Sequence, residues 1–424
     1  MLLSTTPYNR PFGNGLVMKS VADMQDVERL AAFNGQMFGE GIAGMTSQII
    51  LHHPDTRPEH WLYVEDQTSS KIVSSLGMIP LTWRYEDVTL KVGEMEIVST
   101  LEAYRNRGIV RALTARHQEI MREEAFDLGA IQGIPYFYRQ FGYEYALPLD
   151  SHWHMQLHSI PDSWKEEDTA YSFRAATAED IPVLMSLYQA ATDSLNVSAV
   201  RSADHWQYML QHSIGTETEG ETLLIVDAEQ QPIGYWRIAS HGFGDGLIVS
   251  ETSRLRLDAA KGLFHWLKTA ALQRAKPYIR LNLPPHNDLL QTAQYSGAQN
   301  NGSYAWQIHL VDVARLMMKL KPVLERRIAA SPFAGLTQKV VINLYREAFE
   351  LTFDQGELLT VCSIGFLEHS DIRIPPLLLA QLVLGYRSIE ALKAIYPDVN
   401  VGGESQYLVD VLFPKLEAFI FPTY

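Results

Sequence analysis

The chain is nearly without cysteine: its 424 residues hold one, Cys362. A single thiol excludes an intramolecular disulfide framework and a cysteine-rich metal site, and it points to a reducing cytoplasm. No stretch approaches the roughly 20 apolar residues that span a bilayer, and the run 375–385 is far too short. The start, MLLSTTPYNRPFGNG, has no basic segment followed by an apolar block, so it does not read as a secretion signal. Positive charge is in deficit: 35 Lys and Arg stand against 49 Asp and Glu, a net charge of −14. Nucleic acid is thereby disfavoured as a partner, because phosphate binding needs a basic face. The same balance suits cationic, amine-bearing substrates, although charge also serves solubility. Three familiar patterns are missing: the three-glycine dinucleotide loop, the phosphate loop ending in Gly-Lys-Ser/Thr, and H-E-x-x-H. His52-His53 and Glu59-His60 lack a suitably placed carboxylate, so no metal site is expected.

What remains is an ordinary globular composition, 46% hydrophobic and 20% charged, long enough for two to four domains. Residues 16–32 begin as a strand and turn helical, with Asp23 or Asp26 as the cap. Short strands are predicted at 61–65, 72–78, 81–85, 88–92 and 95–100, then a helix over 108–126 and a strand at 130–132. The opening of this pattern recurs: SVADMQDVERL at 20–30 can be laid over AATAEDIPVL at 175–184. Strands at 222–227 and 233–240, a helix over 259–274 and a strand within 300–313 follow. The acidic segment 161–169 reads as the joint. From about Leu316 the texture changes to strands at 340–345 and 358–364 and helices at 375–385 and 388–395. An α+β (mixed α/β) architecture is expected.

The stretch EIVSTLEAYRNRGIVRAL, 96–113, carries the chemical signal. An apolar strand enters a turn with Arg105, Arg107 and Gly108, and a helix follows at once. The first N–H groups of such a helix lack intrahelical partners and carry the positive end of the dipole, which makes an anion site. Gly108 lets the backbone approach a phosphate with no Cβ in the way. Arginine near glycine at a helix start is also common in plain solvated turns. A second pattern lies downstream, Phe137-Tyr138 with Gly142-Tyr143, after the strand that ends at Gly133.

Together, Arg105-Asn106-Arg107-Gly108-Ile109-Val110 and Phe137-Tyr138…Gly142-Tyr143 resemble the two motifs of the GNAT superfamily of N-acetyltransferases. Length and the apolar ending narrow the likeness to the "enhanced intracellular survival" (Eis-like) family. In that family a bulky residue, here Val110, closes the loop. The resemblance implies two tandem GNAT-like acyltransferase domains plus a C-terminal sterol carrier protein-like α+β domain. Their bounds are 1–155 (catalytic), 156–313 (degenerate) and 314–424. It implies acetyl-CoA as co-substrate, no metal, a small-molecule amine as acceptor, a cytoplasmic location and a homo-oligomer, a hexamer in the family. The acceptor is expected to be an aminoglycoside-like compound or polyamine, or a lysine.

The resemblance also assigns roles. Val98, Ser99 and Thr100 would bond the pantetheine arm, with the Val98 N–H a candidate oxyanion donor. Arg105, Asn106, Arg107, Gly108, Ile109, Val110 and Arg111 would surround the pyrophosphate, with Gly133 and Ile134 further along. Tyr138 would be the general acid, a phenol that stays protonated at neutral pH. The carboxylate of Tyr424 would be the general base. The apolar ending Leu416, Phe419, Ile420, Phe421 and Pro422 adds support, being costly to leave in water. A free α-carboxyl has a pKa of about 3.5, so its surroundings must raise it.

Other features carry less. Gln294-Tyr295-Ser296-Gly297 looks like a relic of the second motif. His152, His154 and His158 fit one side of a strand, alternating with Trp153, Met155 and Leu157. Phe38, Trp61 and Trp83 could line an amine pocket or simply pack. The competing function is a non-catalytic acyl-CoA- or lipid-binding carrier, which needs neither Tyr138 nor a terminal carboxylate.

Overall fold

The computed structural model describes residues 1–164 and 171–424. Its larger sheet begins with β1 (Asn9–Gly13), β2 (Leu16–Ser20), β3 (Trp61–Asp66), β4 (Lys71–Tyr85) and β5 (Val88–Thr100), an antiparallel series. Helices α1 (Met24–Phe38) and α2 (Glu40–His52) fall between β2 and β3. Asp23 caps α1 by accepting from the Asp26 N–H. The pairs of strands expected at 72–78 and 81–85, and at 88–92 and 95–100, are each continuous. Pro80 does not break β4, because β3 stops pairing at Gly77 and leaves that edge free. Helix α2 has no counterpart in the expected pattern; its apolar residues crowd together without clean periodicity.

Helix α3 (Ile109–Glu123) follows β5 and returns the chain to β6 (Leu128–Ile131), which lies parallel to β5. Arg116, on its apolar side, is drawn out to Glu119 and Glu123 and covers the Tyr8 ring. A single-turn helix, Phe137–Phe141, leads to β7 (Glu144–Gln156). That strand ends before His158, which sits in a tight turn, so the three histidines do not share one strand side.

The same order then recurs with β8 (Ser172–Ala175), α4 (Ile181–Thr192), β9 (Val197–Ala199), α5 (Ala203–Gln211), β10 (Gly220–Val226), β11 (Pro232–Ala239) and β12 (Leu247–Thr252). Helix α6 (Leu257–Gln273), parallel strand β13 (Tyr278–Leu281), α7 (Asp288–Tyr295) and β14 (Gln299–Leu310) complete it. Of the expected joint 161–169, residues 165–169 lie outside those described. The halves are interlocked. Strand β14 lies between β6 and β7, and β7 between β14 and β13. Each half thus lends its last strand to the other's parallel pair, with Gln307 opposite Ile131 and Leu281 opposite Trp153. Trp306 of β14 packs edge-on against Trp83 of β4 at 5.9 Å.

A separate five-stranded sheet holds β15 (Gln338–Asn343), β16 (Ala348–Asp354), β17 (Glu357–Gly365), β18 (Ile372–Arg373) and β19 (Asn400–Val401) in the order β17-β16-β15-β18-β19. Helix α8 (Leu378–Val383) is shorter than 375–385, since Pro375 and Pro376 precede it. The end of the chain then crosses back. Leu416 donates to the Gly385 carbonyl, and Phe419 donates to Val197 in β9, itself paired with β4. Phe419 and Phe421 enter the core of the second half, whereas Ile420 and Tyr424 join the core of the first.

Because β14 completes both halves, Trp306→Ala is expected to cost about 3–5 kcal/mol. Urea unfolding of residues 1–310 should remain one transition at a lower midpoint; two separated transitions would contradict the interlock.

Candidate active site

Strands β5 and β6 share a ladder only from Val92 to Glu94 against Leu128 to Ala130. Beyond Glu94 they separate, so β5 runs on to Thr100 with one backbone edge unpaired. A bulge assists: the β4 register steps from Gly77↔Glu96 to Ser75↔Ser99, and Ile97 is held at φ +49°. A β-branched residue there is strained backbone, of the kind that collects at functional sites. Ser74 and Ser75 tie the Ser99 and Thr100 hydroxyls back to β4, at 2.9 and 2.8 Å. The unpaired edge is left for an extended ligand.

The wedge opens onto a cavity of about 640 Å³. Its walls include Val98, Ser99, Thr100, Arg105, Asn106, Gly108, Ile109, Val110, Arg111, Ile134 and Tyr138, so most of the sequence-predicted cofactor positions converge. Gly108 caps α3 at φ +76° with no side-chain cap bond, and a Cβ there would meet nothing within 4 Å. Asn106 is also left-handed, at φ +62°. An exposed helix start with open N–H groups and three exposed arginines fits a pyrophosphate. Arg107 lies just off the cavity, donating to the Ala103 carbonyl and covering the Tyr104 ring.

Tyr138 forms the far wall. Gly133 is required beneath it, since a Cβ at that position would lie 2.3 Å from the ring. The Gly133 carbonyl is held by the Tyr304 hydroxyl at 2.6 Å and the Gln307 amide at 2.9 Å, both from β14. Burial, and then the charge of Glu96, push the Tyr138 phenol above its ordinary value. Its hydroxyl makes no hydrogen bond to any described residue, which leaves it free for a ligand.

The residues that sequence reasoning missed are Glu94 and Glu96, on β5 where the wedge begins. Glu94 is fully buried, takes a 3.2 Å bond from Gln132 and leaves its other oxygen without a hydrogen-bond partner among the described residues. Tyr424 brings its hydroxyl to 3.4 Å from Glu96 and 3.2 Å from Gln132. Burial, reinforced by the adjacent Glu96 charge, raises the Glu94 carboxyl well above its ordinary range; burial also raises Glu96. His53 packs edge-on to the Tyr424 ring, and burial holds its pKa down to about 3, so it is neutral. An acidic pair buried within an apolar strand was the available signal. The even spacing of Glu94 and Glu96 marks them as neighbours on one strand face.

Other expectations are amended. Trp61 and Trp83 are core residues, and of the three proposed pocket aromatics only Phe38 lines the cavity, beside Met37. Tyr295 of the second-half motif is 92% exposed, so it holds no position like that of Tyr138. No group of three or more metal-ligating side chains is found among the described residues. No helix among them is long and apolar enough to cross a membrane.

A parallel pair splayed around a helix N-terminus, with a tyrosine opposite, makes up the candidate site. In keeping with this, residues 48–146 match the acetyltransferase (GNAT) domain family. The protein carries that domain and is an acyltransferase. No curated protein sequence matches the chain. The fold is similar to three solved structures over nearly their full length. A probable N-acyltransferase from Enterococcus faecalis V583, a conserved protein of unknown function, has a TM-score of 0.70 at 14% identity, covering 99% of this chain and 100% of that one. A GCN5-related N-acetyltransferase from Anabaena variabilis has 0.68 at 14%, covering 96% and 99%. Eis1 from Mycobacterium abscessus has 0.64 at 15%, covering 96% and 100%.

The raised Glu94 carboxyl makes a stability prediction. A group that binds its proton more tightly when folded stabilises the fold fully below the ordinary value of 4.5, and that contribution is lost as pH rises through the folded pKa. Glu94→Gln should therefore be more stable than the parent at pH 8, the gap narrowing toward pH 4.5. Urea midpoints at both pH values measure this, and an unchanged gap would contradict the shift.

Proposed function

We propose that the protein is an N-acetyltransferase that moves acetyl from acetyl-CoA to an amine of a small polycationic acceptor, aminoglycoside-like or a polyamine, or of lysine. The observation that carries this is the free hydroxyl of Tyr138 facing, across the cavity, a helix start built for an anion. Acetyl-CoA, which a GNAT domain implies, supplies an activated thioester. Arg105, Asn106, Arg107, Gly108, Ile109, Val110 and Arg111 hold its pyrophosphate, the free edge of Val98, Ser99 and Thr100 its pantetheine, and Gly133 and Ile134 border it.

Amide formation requires a deprotonated amine, an oxyanion donor and a proton for the departing thiolate. The Val98 N–H, beside the bulge at Ile97, is the proposed oxyanion donor. Tyr138 is the general acid, its raised pKa keeping the proton in place until a thiolate develops. The Tyr424 carboxylate is the general base. Its residue is 5% exposed and its side chain meets Glu94 and Glu96. Glu94 and Glu96, which hold protons more tightly than exposed carboxyls, would ionise against a bound cation and so give a cationic acceptor its countercharge.

We further read the chain as two tandem GNAT-like domains, 1–155 and 156–313, with a sterol carrier protein-like domain at 314–424, and as a homo-oligomer. The recurring element order supports the duplication, and the separate five-stranded sheet supports the third domain.

Two measurements test the chemistry. Tyr138→Phe should lower acetyl-CoA thiol release in the presence of spermine or kanamycin by about 10²–10⁴-fold with acetyl-CoA binding retained. Undiminished turnover would remove Tyr138 from the mechanism, and no thiol release from the parent with any amine would favour a carrier. A short extension after Tyr424 should depress kcat at least about tenfold by moving the base. An equally active extended protein would exclude the terminal carboxylate.

A further inference from the structure

The second half of the large sheet has its own wedge. Strands β12 and β13 share a parallel ladder over Leu247–Val249 and Ile279–Leu281, as β5 and β6 do over Val92–Glu94 and Leu128–Ala130. Measured from the start of each ladder, Glu251 stands where Glu96 stands, four residues along. Two comparable wedges therefore each carry a carboxylate just beyond the ladder. Their surroundings differ.

In the first wedge Glu96 meets the Tyr424 hydroxyl and, among the described residues, no arginine or lysine. In the second, Glu251 is almost fully buried and is gripped by both arms of the Arg201 guanidinium, at 2.7 and 2.6 Å. The Tyr235 hydroxyl donates to the same carboxylate at 2.5 Å. The guanidinium lies against the Tyr188 and Trp206 rings, 4.3 and 4.8 Å from their centres. One of its nitrogens also donates to the carbonyl of Pro422, two residues before Tyr424. Proline has no N–H, so that carbonyl is the residue's one backbone hydrogen-bonding group, and arginine's fork can serve it and a carboxylate together.

The tail fills the second wedge as well. Phe421 packs on Tyr188 at 6.2 Å and on Phe419 at 5.0 Å. The cavity at this end, lined by Phe421, Glu417, Thr252 and Asn287, is about 290 Å³, against about 640 Å³ in the first wedge. A buried ion pair gives little net stability over apolar residues of the same size; what it fixes is geometry. Here the geometry fixed is that of the chain end.

We propose that Arg201, locked by Glu251, is a positioning residue: it clamps the C-terminal segment at Pro422 and so sets Tyr424 at the Glu94–Glu96 end of the first wedge. The second wedge has become the receptor for the tail, and each half supplies part of one site. The clamp is independent of the reaction; its effect on turnover rests on the reading of Tyr424 as the base.

The test separates the two. In the double variant Arg201→Met, Glu251→Gln both members of the ion pair go together, and the neighbouring buried Arg237 keeps its bond to the Thr222 hydroxyl. Carboxypeptidase release of Tyr424 from the folded 424-residue protein should be slow in the parent and on the order of tenfold faster in the variant, as expected when the open tail is more populated. Thermal unfolding confirms that the variant is folded. Equal protection of Tyr424 in a folded variant overturns the clamp. Should the double variant fail to fold, Arg201→Lys serves: it keeps the charge but lacks the fork, and the same acceleration is expected. In the loosened variant kcat should fall at least about tenfold while the KM for acetyl-CoA holds. A loosened tail with kcat unchanged would leave the clamp standing and overturn the role of Tyr424 in turnover.

Discussion

Two parallel strands that bond over three residues and then part are the constraint on which this molecule turns. Because β5 and β6 separate after Glu94, a stretch of backbone from Glu96 to Thr100 keeps an open edge, and a helix begins at its end. The bulge at Ile97 bends β5 away while its hydroxyl side chains stay fastened to β4. Everything at the candidate site is arranged around that gap. The open start of α3 closes one end, Tyr138 the wall, and the acidic pair the apex.

The apex is the most costly part. Two carboxylates in one apolar strand repel each other, and neither has a cationic partner among the described residues. Groups held in this way retain protons at a pH where exposed carboxylates have lost them. On the proposed reading, a cationic amine reaching the apex would relieve that cost, which favours a positively charged acceptor over a neutral one of the same shape.

Much of this was legible in the sequence. The glycine turn at Gly108 and the Phe137-Tyr138 pattern are local, and they lie where local rules place them. The apolar tail was legible too, since five large apolar residues within seven positions must be covered. Three features were not. Helix α2 was hidden because its apolar residues surround it without a clear face. The role of Glu94 and Glu96 depends on which strand ends next to them, and no spacing along one strand reveals its neighbour. The exchange of β7 and β14 was invisible for the same reason: both read as ordinary strands, and their placement is decided by pairing across about 150 residues of chain.

That exchange bears on how the protein is made. As the chain emerges, β6 has β5 on one side and nothing on the other until Gln299–Leu310 has been synthesised. At about 5–20 residues per second, this leaves an unpaired strand edge for on the order of ten to thirty seconds. An edge of that kind invites pairing with another nascent chain. The buried Trp306 and Trp83 cannot meet before then either. The first half is therefore dependent on the second for its own completion, and cutting the chain between them would leave two open sheets rather than two smaller enzymes.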